Sequence, residues 1–348
     1  MTMPLGKPAL ASGATDLDRD RARAVLLARA GWVAEDGRPL AGDASFRTYV
    51  RLHRGDRRAV LMDAPPVHED TTPFVRVARH LVTLGYSAPR ILAEDAGHGF
   101  LLLEDLGDDT FTRCLAAGDD EAALYTLAVT LLIDLHRRPA AESVPPGLVP
   151  PYDDTRLLEE ARLLTDWYAP AVMGTRLKPT AVADYEALWR AVFPVARAVP
   201  ETLVLRDFHV DNLMRLEDRP GVRACGLLDF QDAVAGPVTY DLVSLLEDAR
   251  RDIDPALVAT LRARYLDAFP VLDPEAVGAS WAVLAAQRHA KVIGIFTRLH
   301  RRDGKPHYLP HIARVWRLLD TALCHPVLSS LRAWFDIHVP PSRRVTPS

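Results

Sequence analysis

Lysine is nearly missing from this 348-residue chain: only Lys7, Lys178, Lys291 and Lys305 carry an ammonium, and arginine supplies the rest of the positive charge. No lysine falls between Lys7 and Lys178, so a fixed cation needed in that stretch has to be a guanidinium. Cysteine is scarce too. Cys114, Cys225 and Cys324 are odd in number and lack C-x-x-C spacing, which argues for a reducing compartment and against structural zinc. The net charge of −4 excludes the cationic excess of a nucleic-acid binder. No apolar run approaches the length of a membrane span, and the first fifteen residues lack a compact apolar segment of the signal-peptide kind. The expectation is a cytoplasmic protein with a loose N-terminus (1–15) and room for two domains.

What the chain does have is concentrated between Leu203 and Leu246, LVLRDFHVDNLMRLEDRPGVRACGLLDFQDAVAGPVTYDLVSLL. The runs VLR and CGLLDF read as two short buried strands, each delivering a carboxylate at its end. Asp207 stands five residues before Asn212, and Asp229 closes the second run. Phosphoryl transfer needs a carboxylate to receive the proton of an attacking hydroxyl, and hard oxygen ligands for Mg2+. Asp207 suits the first role; Asn212 and Asp229 suit the second. Isolated aspartates more often cap turns, but here the spacing, strand context and order agree with one another.

Periodicity outlines the remainder. A short amphipathic helix is expected over Asp16–Gly31, then a strand through Phe46, Thr48, Val50 and Leu52, closed by Arg54-Gly55-Asp56-Arg57 into a second strand AVLMDA. Helix is expected over His68–Leu84, and strands over Pro89–Glu94 and Gly99–Leu103, the last ending in Glu104-Asp105-Leu106-Gly107. Beyond that point the pattern turns helical: Glu121–His136, a helix capped by Asp154 or Thr155, then Leu242–Arg250, Pro255–Phe269 and Pro274–Arg298, with a loose tail from Pro340.

RDFHVDN, a following strand that ends in Asp, and Gly236-Pro237 with Asp241 together resemble the aminoglycoside phosphotransferase and choline kinase group, relatives of protein kinases. The His and Gly common before the catalytic Asp of that group are Leu205 and Arg206 here. GDASFRTY, VLMDAPP, LPHIARV, LRDFHVDNLM and QRHAKVIGIFTRLHRRDGKPHYL narrow the resemblance to the anomeric N-acetylmuramate/N-acetylglucosamine kinases of bacterial cell-wall recycling, over roughly Gly42 to Val315.

The resemblance implies an α+β, two-lobed, protein-kinase-like fold with a small β-rich N-lobe (16–106) and a larger, mainly helical C-lobe (107–340). It implies ATP and Mg2+ as cofactors and a free amino sugar as substrate. Asp207 is then the catalytic base. Asp43, Ala44 and Ser45 form a loop over the nucleotide phosphates, while Glu104 and Leu106 sit at the hinge beside the adenine. Met62 occupies the position of the usual phosphate-binding lysine, so Arg47 or Arg51 is expected to take over that clamp. His209, Trp167, Glu160, Gln231 and Arg298 are candidate contacts to the sugar. Two alternatives stay open: another small-molecule kinase of the same fold, or a nucleotide-binding scaffold without transfer activity.

Overall fold

The computed structural model describes residues 16–32, 37–40 and 46–347, and the chain divides into two compact units, Met1–Asp108 and Asp109–Ser348. The N-terminal residues and the Asp43-Ala44-Ser45 loop lie outside the described residues. The architecture is α+β, with a small β-sheet lobe followed by a larger helical one.

The small lobe holds α1 (Asp16–Arg29), β1 (Arg38–Pro39), β2 (Thr48–Arg54), β3 (Arg57–Asp63), α2 (Thr72–Thr83), β4 (Ile91–Asp95) and β5 (Phe100–Glu104). Its sheet runs in the order β1-β2-β3-β5-β4, antiparallel throughout. The β2–β3 hairpin closes on two residues, and Gly55 takes φ +56°, a turn position where a side chain would be strained. Opposed residues share a face. Leu52, Ala59, Leu61, Phe100 and Leu102 therefore pack together under Leu26, Leu27 and Trp32 of the α1 region. The other face carries Arg51, Val60 and Leu103 in one row and Tyr49, Met62 and Leu101 in the next. Helix α2 starts at Thr72, not at His68. Pro73 tolerates only the first turn, and Asp70 accepts the Thr72 amide at 2.8 Å.

The larger lobe continues with α3 (Phe111–Ala116), α4 (Glu121–Arg137), α5 (Ala140–Ser143), α6 (Asp154–Leu163), α7 (Ala169–Met173) and α8 (Pro179–Ala196). Next come β6 (Glu201–Val204), β7 (Leu213–Arg215), β8 (Cys225–Leu227), β9 (Val234–Pro237), α9 (Thr239–Leu246) and α10 (Pro255–Ala268). Finally α11 (Pro274–Asp303), α12 (Ile312–Ala322) and α13 (Ser329–His338) complete the unit. Helix α6 is capped by Asp153, one residue before the expected cap, whose side chain accepts the Arg156 amide at 2.9 Å.

The organising element is α11, 30 residues long, held at its ends by the Asp273 cap and by Gly304 at φ +65°. It packs on α6, α8, α9 and α12 and is buried along most of its length, including Gln287, Arg288, His289 and Lys291. Between α6 and α7 the helix passes through a π-turn, Leu164–Tyr168, which lies against α11. The contact is close because position 294 is glycine: a Cβ there would lie 2.3 Å from the Leu163 carbonyl carbon.

The tail is not loose. Arg344 reaches Asp320 at 2.7 Å and Asp336 at 2.6 Å, and the Tyr168 hydroxyl lies 2.8 Å from the carbonyls of both Arg343 and Val345.

Candidate active site

Strand β6 ends at Val204, and the three residues that follow turn sharply. Arg206 adopts φ +69°, the left-handed region that costs a non-glycine residue about 1–3 kcal/mol. The surroundings fix it. Asp241, buried on α9, accepts the Leu205 amide at 2.7 Å and the Arg206 amide at 2.9 Å. Ser244 donates to the Arg206 carbonyl at 3.2 Å, and Arg288 donates to the Ser244 hydroxyl at 2.6 Å. Burial pushes the Asp241 carboxyl up to about 7, although the two amides and Arg288 pull the other way.

This turn presents Asp207, half-buried in the larger lobe. Burial alone would raise its pKa, but the charges of Lys291, Arg288 and Arg206 outweigh it and hold the carboxyl below its ordinary value, so it is ionised at neutral pH. The Asn212 amide nitrogen donates to the Asp207 carbonyl at 2.9 Å and lies 3.5 Å from an Asp229 carboxylate oxygen. The Leu228 amide bonds to the Asn212 carbonyl at 3.0 Å, which locks the two segments together. Asp229 is the second non-glycine residue with a left-handed backbone, at φ +56°. Both strained residues among the described ones thus fall in this loop pair.

Asn212 and Asp229 fit a magnesium ion. The two side chains lie next to each other, Asn212 Nδ2 being 3.5 Å from an Asp229 oxygen, and an amide and a carboxylate are both hard oxygen donors of the kind magnesium takes. Among the described residues no three His, Cys, Asp or Glu side chains converge on one point, so ligand oxygens would have to complete the coordination. That is how Mg2+ is usually held on nucleotide phosphates.

The remaining candidates divide. His209 is buried, and burial and Arg250 lower its pKa, so its ring is neutral. Its Nε2 faces the Asn212 amide at 3.5 Å and Arg250 at 3.4 Å, while Nδ1 is buried without a partner. Gln231 donates to Asp229 at 2.8 Å and so orients that carboxylate. Glu160 is not available to a sugar. One oxygen is shared by Arg206 and by Lys291 at 3.2 Å, the other by the Tyr152 hydroxyl and by Gln287 at 3.1 Å. Arg298 stands two turns of α11, about 10 Å, beyond Lys291, outside the contacts that surround Asp207. Trp167 sits half-buried in the π-turn.

In the small lobe, Arg51 is not the expected phosphate clamp. Its guanidinium forks onto Asp105 at 2.8 and 3.0 Å, meets Asp108 at 2.8 and 2.9 Å, and donates to the Gly107 carbonyl at 2.8 Å. Both terminal nitrogens are thereby committed to hydrogen bonds. Arg47 pairs with Glu69 at a looser 3.5 Å. Met62 is fully buried on the same sheet face as Arg51, where a lysine would have to be paired. Glu104 forks onto Arg90 at 3.1 Å through both of its oxygens, and Leu106 is half-buried. The residues that the motif search missed are Tyr152, Ser244 and Gln287. Each is an ordinary side chain that becomes informative only once Arg206 is seen to need holding.

Comparison with known proteins identifies the family. The model of the phosphotransferase enzyme family matches residues 36–277. An N-acetylmuramate/N-acetylglucosamine kinase of Caulobacter vibrioides is 37% identical over 94% of this chain and 98% of its own length. A protein of the same name from Pseudomonas aeruginosa is 40% identical over 84% of this chain and 86% of its own. Among solved structures, a wild-type aminoglycoside 2'-phosphotransferase-IIIa superposes with a TM-score of 0.58 at 15% identity, covering 89% of this chain and 98% of the other. A choline/ethanolamine kinase family protein from Mesorhizobium loti gives 0.56 at 16%, covering 91% and 99%. At such identities the likeness is one of fold. The match over most of the chain and the full-length kinase relatives together make this protein a member of the phosphotransferase enzyme family.

Proposed function

We propose that the protein transfers the γ-phosphoryl group of ATP to the anomeric hydroxyl of N-acetylmuramate and N-acetylglucosamine, giving the sugar 1-phosphates, as part of cell-wall recycling. The observation that carries this reading is the meeting of Asp207, Asn212 and Asp229 on one rigid loop pair. The names of relatives that match nearly the full chain support the choice of sugars.

Asp207 acts as the base that takes or orients the C1 hydroxyl proton. An anomeric hydroxyl is more acidic than an ordinary alcohol, so an ionised carboxylate of low pKa suffices. His209, neutral and two residues beyond the base, is the candidate contact that orients this loop or meets the sugar. Asn212 and Asp229 would hold magnesium, with Gln231 steering the carboxylate; when bound, the ion neutralises charge on the ATP phosphates. Asp43, Ala44 and Ser45 cover those phosphates, Glu104 and Leu106 flank the adenine, and Arg47 is the arginine left for the phosphate clamp.

The test is a phosphorus-31 NMR assay with ATP, Mg2+ and each sugar in turn. A new resonance coupled to the C1 proton is expected with both sugars. A phosphate on any other carbon, or none with either sugar, would overturn the reading.

A further inference from the structure

Asp207 is presented by a residue whose backbone is the wrong shape for its side chain. Glycine takes a left-handed φ freely, whereas arginine does so only when its surroundings enforce it. Arg206 is gripped at three handles. Its N–H is held by Asp241 and its C=O by Ser244, contacts that any residue at this position would make. The third handle is the guanidinium, which pairs with Glu160 and donates to the Asp232 carbonyl at 3.2 Å, over the Tyr152 ring.

Glu160 is in turn saturated. Lys291 and Gln287 reach it from α11, and the Tyr152 hydroxyl from the segment before α6, so four donors share its two oxygens. Arg206, Glu160 and Lys291 are all buried or nearly so. Two cations on one buried carboxylate are a poor source of stability, since desolvation offsets most of the attraction. What such a cluster supplies is position.

We propose that Glu160 and Lys291 are positioning residues for the reaction: with Tyr152 and Gln287 they grip the Arg206 side chain and so hold in left-handed form the residue that presents Asp207. The proposal rests on Asp207 being the base of phosphoryl transfer. It assigns Glu160 and Lys291 no contact with substrate.

The experiment exploits glycine. Arg206→Ala loses the grip and keeps the strain, and kcat is expected to fall about 100-fold, the cost of a base displaced by about 1 Å. Arg206→Gly loses the grip but removes the strain, and is expected to recover about tenfold of that loss. The charge-balanced pair Glu160→Gln/Lys291→Met should lower kcat as Arg206→Ala does, with both KM values within about twofold, because only the base has moved. Added to Arg206→Gly, the same pair should cost nothing further. Equal losses in the two backgrounds, or a rise in sugar KM, would mean that Glu160 and Lys291 act on the substrate or, through the Lys291 charge, on Asp207 directly and not through Arg206, and the proposal would fail. ATP affinity by calorimetry verifies folding. If the pair variant does not fold, Lys291→Met alone, which leaves Glu160 on Arg206, is read in the same two backgrounds. Should wild type phosphorylate neither sugar, the choice of sugars is what has failed, and the same series is then read on acceptor-free ATP hydrolysis.

Discussion

At the scale of single residues, the loop pair separates roles that mutation can tell apart. Asp207 touches the acceptor in our reading, while Asn212 and Asp229 serve the cation. Asp207→Asn should therefore abolish transfer and leave ATP affinity within a few-fold, whereas Asp229→Ala should weaken ATP binding and remove its Mg2+ dependence. Titration calorimetry with and without Mg2+, beside turnover, reads both; unchanged Mg2+ dependence in Asp229→Ala would remove that residue from the site. Arg51 makes the opposite case. Its partner Asp105 is only 2% exposed at the side chain, so Arg51→Ala takes the close cation from a buried carboxylate that keeps the Gly107 amide at 2.9 Å and Arg58 at 3.8 Å, and should cost about 3 kcal/mol. The expected signature is a lower melting temperature with the ATP KM within about twofold at temperatures where the fold persists. A tenfold rise in KM with unchanged melting would reinstate Arg51 as a phosphate clamp.

Elements show why some of this was legible and some was not. The hairpin at Gly55, the helical stripes of α4 and α10, and the carboxylates that follow β6 and β8 are local patterns, written in consecutive residues. The grip on Arg206 joins position 152, α6 and α11 across more than a hundred residues, and nothing in Tyr152 or Gln287 announces it. Helix ends failed for a related reason: the apolar stripe fixes a helix's face, while Pro73 and Asp153 fix its start.

One contact between elements carries a pH signature. His136 of α4 accepts or donates to the Tyr265 hydroxyl of α10 at 2.8 Å, and burial lowers its pKa to about 3. The unfolded chain takes up this proton near pH 6.5 and the folded chain does not, so the contribution is intact above about 6.5 and is lost as pH falls toward 3. The slope is up to about 1.4 kcal/mol per pH unit. Urea unfolding of wild type and His136→Gln at pH 7 and pH 5 should show the gap between them narrowing on acidification, and parallel curves would refute the assignment.

For the molecule as a whole, composition and motif order indicated two lobes and placed the chemistry in the second, but the C-terminus read as dispensable. Pro340 onward looks like any polar tail, because its partners Tyr168, Asp320 and Asp336 are ordinary residues that only the completed fold brings near. Removing residues 340–348 takes away both carbonyls that satisfy the Tyr168 hydroxyl, and Arg344 with its two carboxylates and its place 5.4 Å over the Trp316 ring. A buried hydroxyl without a partner costs about 1–3 kcal/mol, and the arginine adds a smaller share. The truncated chain should melt about 5–10 °C lower if the larger lobe loses about 2–3 kcal/mol. Its KM values should not change, since none of these groups belongs to the loop pair. Tyr168→Phe supplies the control. In the full chain it removes a satisfied hydroxyl and should destabilise by about 1 kcal/mol, whereas in the truncated chain it removes an orphan and should be neutral or stabilising. Two Tyr168→Phe effects of the same sign and size would show that the tail does not hold that hydroxyl.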